Sequence, residues 1–210
     1  MPNQNGSLYG LTILSPIIND ETVTPSHDLQ IRLYLATLPT DEHGPFAIAP
    51  LTHLTRLVVM DDVIYVGAPA CEEHTNFKYL VWECNFDGDL DTYLTTLATT
   101  VPDQINAIWS HCVGYPGTRD IAAFLRYMKA CQLETTFFFA AVNDKTVEQA
   151  LTAIQTQKAV SDFVTCHQGM DPAELQQRFV KFAEDLRALP VPQRGANAPC
   201  REIKMGGHNE

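Results

Sequence analysis

The sequence predicts an α+β domain built on one antiparallel sheet with helices against one side of it. Runs dense in β-branched and aromatic residues lie at 8–17, 53–61 and 78–86, too short for typical helices. Segments with apolar residues at helical spacing lie elsewhere, behind Ser, Asp or Asp-Pro starts. The runs 53–61 and 78–86 follow each other with no helical pattern between them, so they pair as antiparallel neighbours.

Each element has a local reason. LYGLTILSPI (8–17) is the first strand and ends at Pro16. From Ser26 to Leu38 the residues Leu29, Leu33 and Tyr34 form a helical stripe behind a Ser26 cap, and Pro39 closes it. Residues 39–52, with Pro39, Gly44, Pro45 and Pro50, read as a loop. HLTRLVVMD and KYLVWECNF are two strands, joined by a lid-like insert that carries Gly67, Pro69, Glu72 and Glu73. Asp89 caps LDTYLTTLATTV, where Leu90, Tyr93, Leu94 and Leu97 share one face. Pro102 ends that helix, and INAIWSHCV (105–113) reads as a further strand stopped by Gly114 to Gly117.

Strand, helix, strand, strand, helix, strand is the ferredoxin-like βαββαβ order. Beyond it come a helix over 118–131 with Ile121, Phe124, Leu125 and Met128 on one face, then an extra strand, TTFFFAAV (135–142). So continuous an apolar run implies burial on both faces or packing into a partner. Asp144 is the expected cap of a long helix through Val164 with Val147, Leu151, Ile154 and Phe163 inward. Asp171 and Pro172 start a last helix with Leu175, Phe179 and Phe182 as its stripe. The expected organisation is a ferredoxin-like domain over 1–170, a C-terminal helix over 171–189 and a Pro/Gly-rich tail over 190–210 that forms an arm or is disordered.

Composition narrows the function classes. Of 210 residues, 45% are hydrophobic and 19% charged, with 14 Lys and Arg against 25 Asp and Glu and a net charge of −11. That field repels nucleic-acid phosphates and anionic membranes, so neither is an expected partner. The opening MPNQNGSLYG is neither basic nor apolar, and no apolar run is long enough to cross a bilayer, which points to a cytoplasmic protein. Cys71, Cys84, Cys112, Cys131, Cys166 and Cys200 show no CxxC or zinc-type spacing, so neither a disulfide framework nor a structural metal is expected. Glycine-rich phosphate loops and Gly-x-Ser-x-Gly elbows are absent from the sequence.

The segments LYGLTILSPI, HLTRLVVMDD, YLVWECNFDGDLDTYL, IWSHCVGYPG and FFFAAVNDKTVEQAL, in order from about residue 8 to 165, together resemble an uncharacterised bacterial family with the dimeric α+β-barrel (ferredoxin-like) fold. The sheet face away from the helices carries Val, Leu and Ile, so a second copy of the chain, or the strand and helices after residue 118, is expected to cover it, and a homodimer is the expected form. Members of that family often lie among genes for peroxide and lipid-oxidation chemistry. The wider superfamily includes the haem-binding chlorite dismutases and dye-decolorising peroxidases, as well as cofactor-free monooxygenases. FDGD (86–89) loosely echoes the Gly-containing acidic motif of those peroxidases.

Polar residues that interrupt apolar strands are the candidate site. His53 and Arg56 sit early in one strand, Glu83 and Asn85 interrupt the next, and His111 ends the expected strand that holds Trp109. A buried unpaired charge is costly, so these groups must reach water, pair, or change protonation. Arg56 and Glu83 are either a structural ion pair or a polar floor that orients a carboxylate or peroxide. His111 is a candidate haem ligand or general base, or else a hydrogen-bonded structural residue. His53 carries the same alternatives, and His74 in the insert is expected to be solvated. Asp87 and Asp89 read as caps of a tight turn, and Tyr115 as a phenol at a pocket mouth or part of a chain reversal. The catalytic candidates are therefore His111, Arg56 and Glu83, with His53, Asn85, Trp109 and Tyr115 as substrate contacts and His111 as the haem contact.

The expected function is a small-molecule enzyme with a pocket at the sheet face, performing haem-assisted oxidative or peroxide chemistry on an apolar substrate. The alternatives are a cofactor-free monooxygenase-like enzyme and a non-catalytic small-molecule-binding or assembly protein.

Overall fold

Alternation along three neighbouring strands decides which side of the sheet is dry. The computed structural model describes residues 3–49, 51–63, 67–68 and 74–190. Among these it is an α+β structure with a four-stranded antiparallel sheet and seven helices. The strands are β1 (Gln4–Asn5), β2 (Leu8–Pro16), β3 (Thr52–Met60) and β4 (Tyr79–Asp87), in the order β1-β2-β4-β3. The helices are α1 (His27–Leu35), α2 (Pro45–Ile48), α3 (Leu90–Thr100), α4 (Pro102–Trp109), α5 (Ile121–Ala130), α6 (Val147–Cys166) and α7 (Pro172–Arg187).

The chain divides into a compact unit ending at Val147 and a second beginning at Glu148. The boundary expected at residue 170 lies inside the second unit, between α6 and α7.

In the first unit Leu80, Trp82, Cys84 and Phe86 alternate inward along β4 and meet Leu11 and Ile13 of β2. Tyr93, Leu94 and Leu97 of α3, Ile105, Ile108 and Trp109 of α4, and Phe124 and Met128 of α5 belong to the same core. Phe86 stacks on Tyr93 with ring centres 3.8 Å apart, and Trp82 meets Trp109 edge-on at 5.2 Å. The polar ends of these rings stay satisfied: Trp82 Nε1 donates to Thr55 Oγ1, Trp109 Nε1 donates to Ser15 Oγ, and Tyr93 Oη pairs with Thr52 Oγ1. As expected, Asp89 caps α3 by accepting from the Thr92 N–H, and Asp171 caps α7 by accepting from Ala173 and Glu174.

Two expected strands are not strands. Residues 105–113 belong to α4 and the turn after it, so the βαββαβ order is not completed. Pro102, read as the stop of α3, is also the first residue of α4, a position that needs no amide hydrogen. Ile105, Ile108, Trp109 and Cys112 follow the helical spacing, and all four are buried. Trp109 therefore lies in the core and has no place at a substrate surface, and His111 ends no strand.

The run 135–142 is irregular as well, with Phe137 82% exposed. It is fastened by asparagines rather than by a ladder: Asn3 bonds both the hydroxyl and the amide of Thr135, and Asn5 Nδ2 donates to Phe138 O. Asn143 bonds Asn5, and its carbonyl accepts from the amide and hydroxyl of Ser7. Phe138 packs where Gly10 leaves room, since a Cβ there would stand 2.9 Å from its ring. Segments 111–113 and 131–133 satisfy the outer edge of β2 in pieces: Leu133 donates to Thr12 O, Leu14 to Cys131 O, and Val113 to Pro16 O, and just beyond the strand Ile18 donates to His111 O.

β1 has no counterpart in the expected elements. It pairs with β2 across Gly6 and Ser7, and Gly6 has φ +64°, which suits the two-residue hairpin turn that places glycine first.

The second unit is a pair of helices joined at Gly169. Phe163 stacks on Phe182 at 4.6 Å and on His167 at 4.2 Å, and His167 Nδ1 donates to Phe163 O. α6 starts at Val147 rather than next to Asp144, whose carboxylate pairs with Lys145. Ile154, expected to face inward, is 61% exposed. Within the insert, 64–66 and 69–73 lie outside the described residues, as does 191–210 of the tail. No helix among the described residues is long and apolar enough to cross a membrane.

Candidate functional site

The register of β3 against β4 sets Arg56 directly opposite Glu83, and the two side chains form the expected ion pair. They point to the face of the sheet away from the core, where Arg56 is 67% exposed and Glu83 43%. Leu54 and Val58 share that face and are exposed, and Asn85 lies on it opposite Leu54 and Gly10. Arg56 and Glu83 are therefore in water rather than on a dry floor, and such a pair contributes little stability.

Three residues before Arg56 the chemistry changes. β3 has a bulge between Thr52 and Leu54, so His53 leaves the ladder, and bulges re-aim side chains in this way. His53 Nε2 lies 2.8 Å from Asp87 Oδ1. Asp87 is buried, and its Oδ2 accepts from the Val147 N–H at 2.9 Å. Its own amide donates to Leu51 O, so backbone on both sides fixes the carboxylate. With an ionised carboxylate that can only accept, the neutral His53 ring carries its proton on Nε2 and leaves the Nδ1 lone pair as a base. A carboxylate behind an imidazole also stabilises the imidazolium formed when Nδ1 takes a proton.

His111 lies in the turn after α4, not at a sheet face. Its Nδ1 is 2.9 Å from Nδ1 of His27, the first residue of α1. Burial, and then the neighbouring His27, hold its pKa below the ordinary imidazole value. Tyr115 donates its hydroxyl to Asn106 Oδ1, which also accepts from the Thr118 N–H, while Asn106 Nδ2 donates to Thr118 Oγ1. Burial pushes the Tyr115 phenol well above its usual pKa. Tyr115 and Asn106 line an open cleft of about 770 Å³ with Asp103, Ser110, Thr118 and Arg119. That cleft shares no lining residue with the His53–Asp87 pair.

Haem requires an apolar slot with a ligand aimed into it. The cleft beside α4 is walled largely by polar side chains, and His111 is not among its lining residues. These residues do not fit a haem. The buried thiols do not suggest a nucleophile either, since burial pushes Cys84 and Cys112 up to about 12.

The structure thus separates the candidates. Arg56, Glu83, Asn85 and His53 share the β3–β4 pair, whereas His111 and Tyr115 lie beyond α4 and Trp109 is in the core. Sequence reasoning missed two partners, Asp87 for His53 and His27 for His111. FDGD marked Asp87 as an acid at a strand end, and Asp87 does accept a backbone N–H, but from a residue 60 positions away. For His27 the only signal was a histidine at a helix start. His74 is exposed, as expected, and sits 2.7 Å from Asp62, whose pKa falls through the Thr75 amide first and then His74. No family model, curated protein or solved structure matches the chain.

Proposed function

We propose that the chain is a small-molecule enzyme of the cofactor-free kind, with His53, oriented by Asp87, as the general base at the sheet face away from the core. The observation that carries this is the His53–Asp87 pair, with a buried carboxylate fixed by backbone and the far ring nitrogen left as the base. The proton moves from an acidic O–H or C–H of an apolar substrate to His53 Nδ1, Asp87 balances the new positive charge, and dissolved O2 is the co-substrate that takes electrons from the deprotonated substrate. Arg56 suits the resulting anion, since its fork binds oxyanions. The exposed Leu54 and Val58 suit an apolar body. A second copy of the chain covers this face in the manner of a dimeric α+β barrel. Support for that finer reading is the antiparallel β2-β4-β3 arrangement with core helices on one side and exposed aliphatic residues on the other.

Native mass spectrometry of the purified chain, combined with oxygen uptake on a panel of polyphenols, tests the reading. The expected results are a two-chain mass and an uptake rate that falls about 10²-fold in His53→Gln, the usual size of general-base catalysis. A one-chain mass together with uptake that is absent, or equal in both proteins, overturns it.

The exposed Phe137 and Phe139 favour a second reading, a non-catalytic assembly protein. There the two-chain mass persists, and no rate depends on His53.

A further inference from the structure

The first residue of α1 and the turn after α4 meet through two imidazoles. His27 Nδ1 and His111 Nδ1 are 2.9 Å apart, and the ring centres are 5.2 Å apart. That second distance is what the nitrogen separation and two ring radii add up to, so both nitrogens lie on the line between the ring centres. At this same nitrogen separation, two imidazoles that chelate one metal ion would incline toward a common point and bring their centres closer than this. The lone pairs instead aim at each other, which is the geometry for one hydrogen between two nitrogens.

We propose that His27 and His111 form a proton-sharing pair that latches α1 to the α4–α5 turn and opens when the pair takes up its last proton. With both rings neutral, one Nδ1–H donates to the other Nδ1. With one proton added, an imidazolium donates to a neutral ring and the latch holds. A second proton leaves two cationic donors facing each other with no acceptor, so the contact is lost.

The surroundings make this pair the sensitive element of its neighbourhood. Asp20, on the segment after β2, is the carboxylate that feels the charge of His27, and it is itself tied to Thr22. Asp28, next along α1, is held by Lys78, which also reaches Asp61, and Arg32 bonds Asp61. From α4, Asp103 faces Tyr34 of α1 rather than either histidine. Burial and His27 both oppose a charge on His111, in line with a late second protonation. The turn also carries structure, since His111 O accepts from Ile18 N–H and the Val113 amide donates to Pro16 O.

The test is imidazole ¹⁵N NMR on the full chain between pH 8 and 4.5, with hydrogen exchange of 18–35 and 110–114 at the two ends. The expected result is two coupled steps for His27 and His111 separated by at least about one pH unit, a tenfold difference in proton affinity. Exchange in both segments rises together with the second step. In His27→Gln the His111 titration moves up and the coupling disappears. Independent titration of the two rings in the wild-type chain, or exchange that does not follow the second step, overturns the proposal. So does stoichiometric Ni²⁺ binding that needs both histidines, because it would make the pair a chelate.

Discussion

Arg56–Glu83 and His53–Asp87 are charged pairs on the same two strands, yet they belong to different classes of interaction. Glu83 is open to water and held only by Arg56's flexible side chain, while Asp87 is 8% exposed and braced by the Val147 amide. Water weakens the first pair by screening it and by competing for each partner. In the second pair the carboxylate has little such competition, so removing His53 leaves a largely desolvated Asp87 behind. Opposite charges aligned by register are therefore no guide to importance. Enclosure of the carboxylate and rigid backbone contacts are what distinguish the pair suited to chemistry.

Asp87→Ala should show the largest effect, because it orphans both His53 and the Val147 N–H. A loss of about 3 kcal/mol in urea unfolding is expected, and a change below about 1 kcal/mol would place Asp87 with the surface pairs. Gly10→Val should come next. The added side chain displaces the Phe138 ring, and limited proteolysis should then cut within 135–142 at least several-fold faster than in the wild-type chain. A double-mutant cycle on Arg56→Ala and Glu83→Ala should give a coupling below about 1 kcal/mol that fades in molar salt.

The smallest expected effect is one of pH. Because the folded chain holds His111 below its ordinary pKa, the unfolded chain takes up that proton first. His111 therefore leaves stability unchanged well above about pH 6.5 and lowers it as pH falls through that value. The loss levels off once pH is below the folded pKa. His111→Gln should flatten this part of the stability profile measured between pH 8 and 5.

Much of the fold was legible locally. Asp89 and Asp171 announced their helices because a cap acts within a few residues, and the alternation of YLVWECNF assigned Trp82 and Glu83 to opposite faces before any contact was known. INAIWSHCV was misread because its spacing fits a short buried strand as well as a helix. Its burial within α4 against Trp82 resolved the ambiguity in favour of helix. TTFFFAAV failed for a different reason. A continuous apolar run looks like a buried strand, but strand formation needs a free ladder edge, and here three asparagines hold the segment through side-chain bonds instead.

The candidate site divides along the same line. Sequence alone determined that ionisable residues interrupt apolar strands, and from the hairpin order it placed Arg56 near Glu83. Only the tertiary structure decided that a bulge turns His53 onto Asp87, that Val147 returns to brace that carboxylate, and that His27 finds His111. These partners come from distant points of the chain, and proximity between distant points is set by how the core packs rather than by any residue's neighbours in sequence.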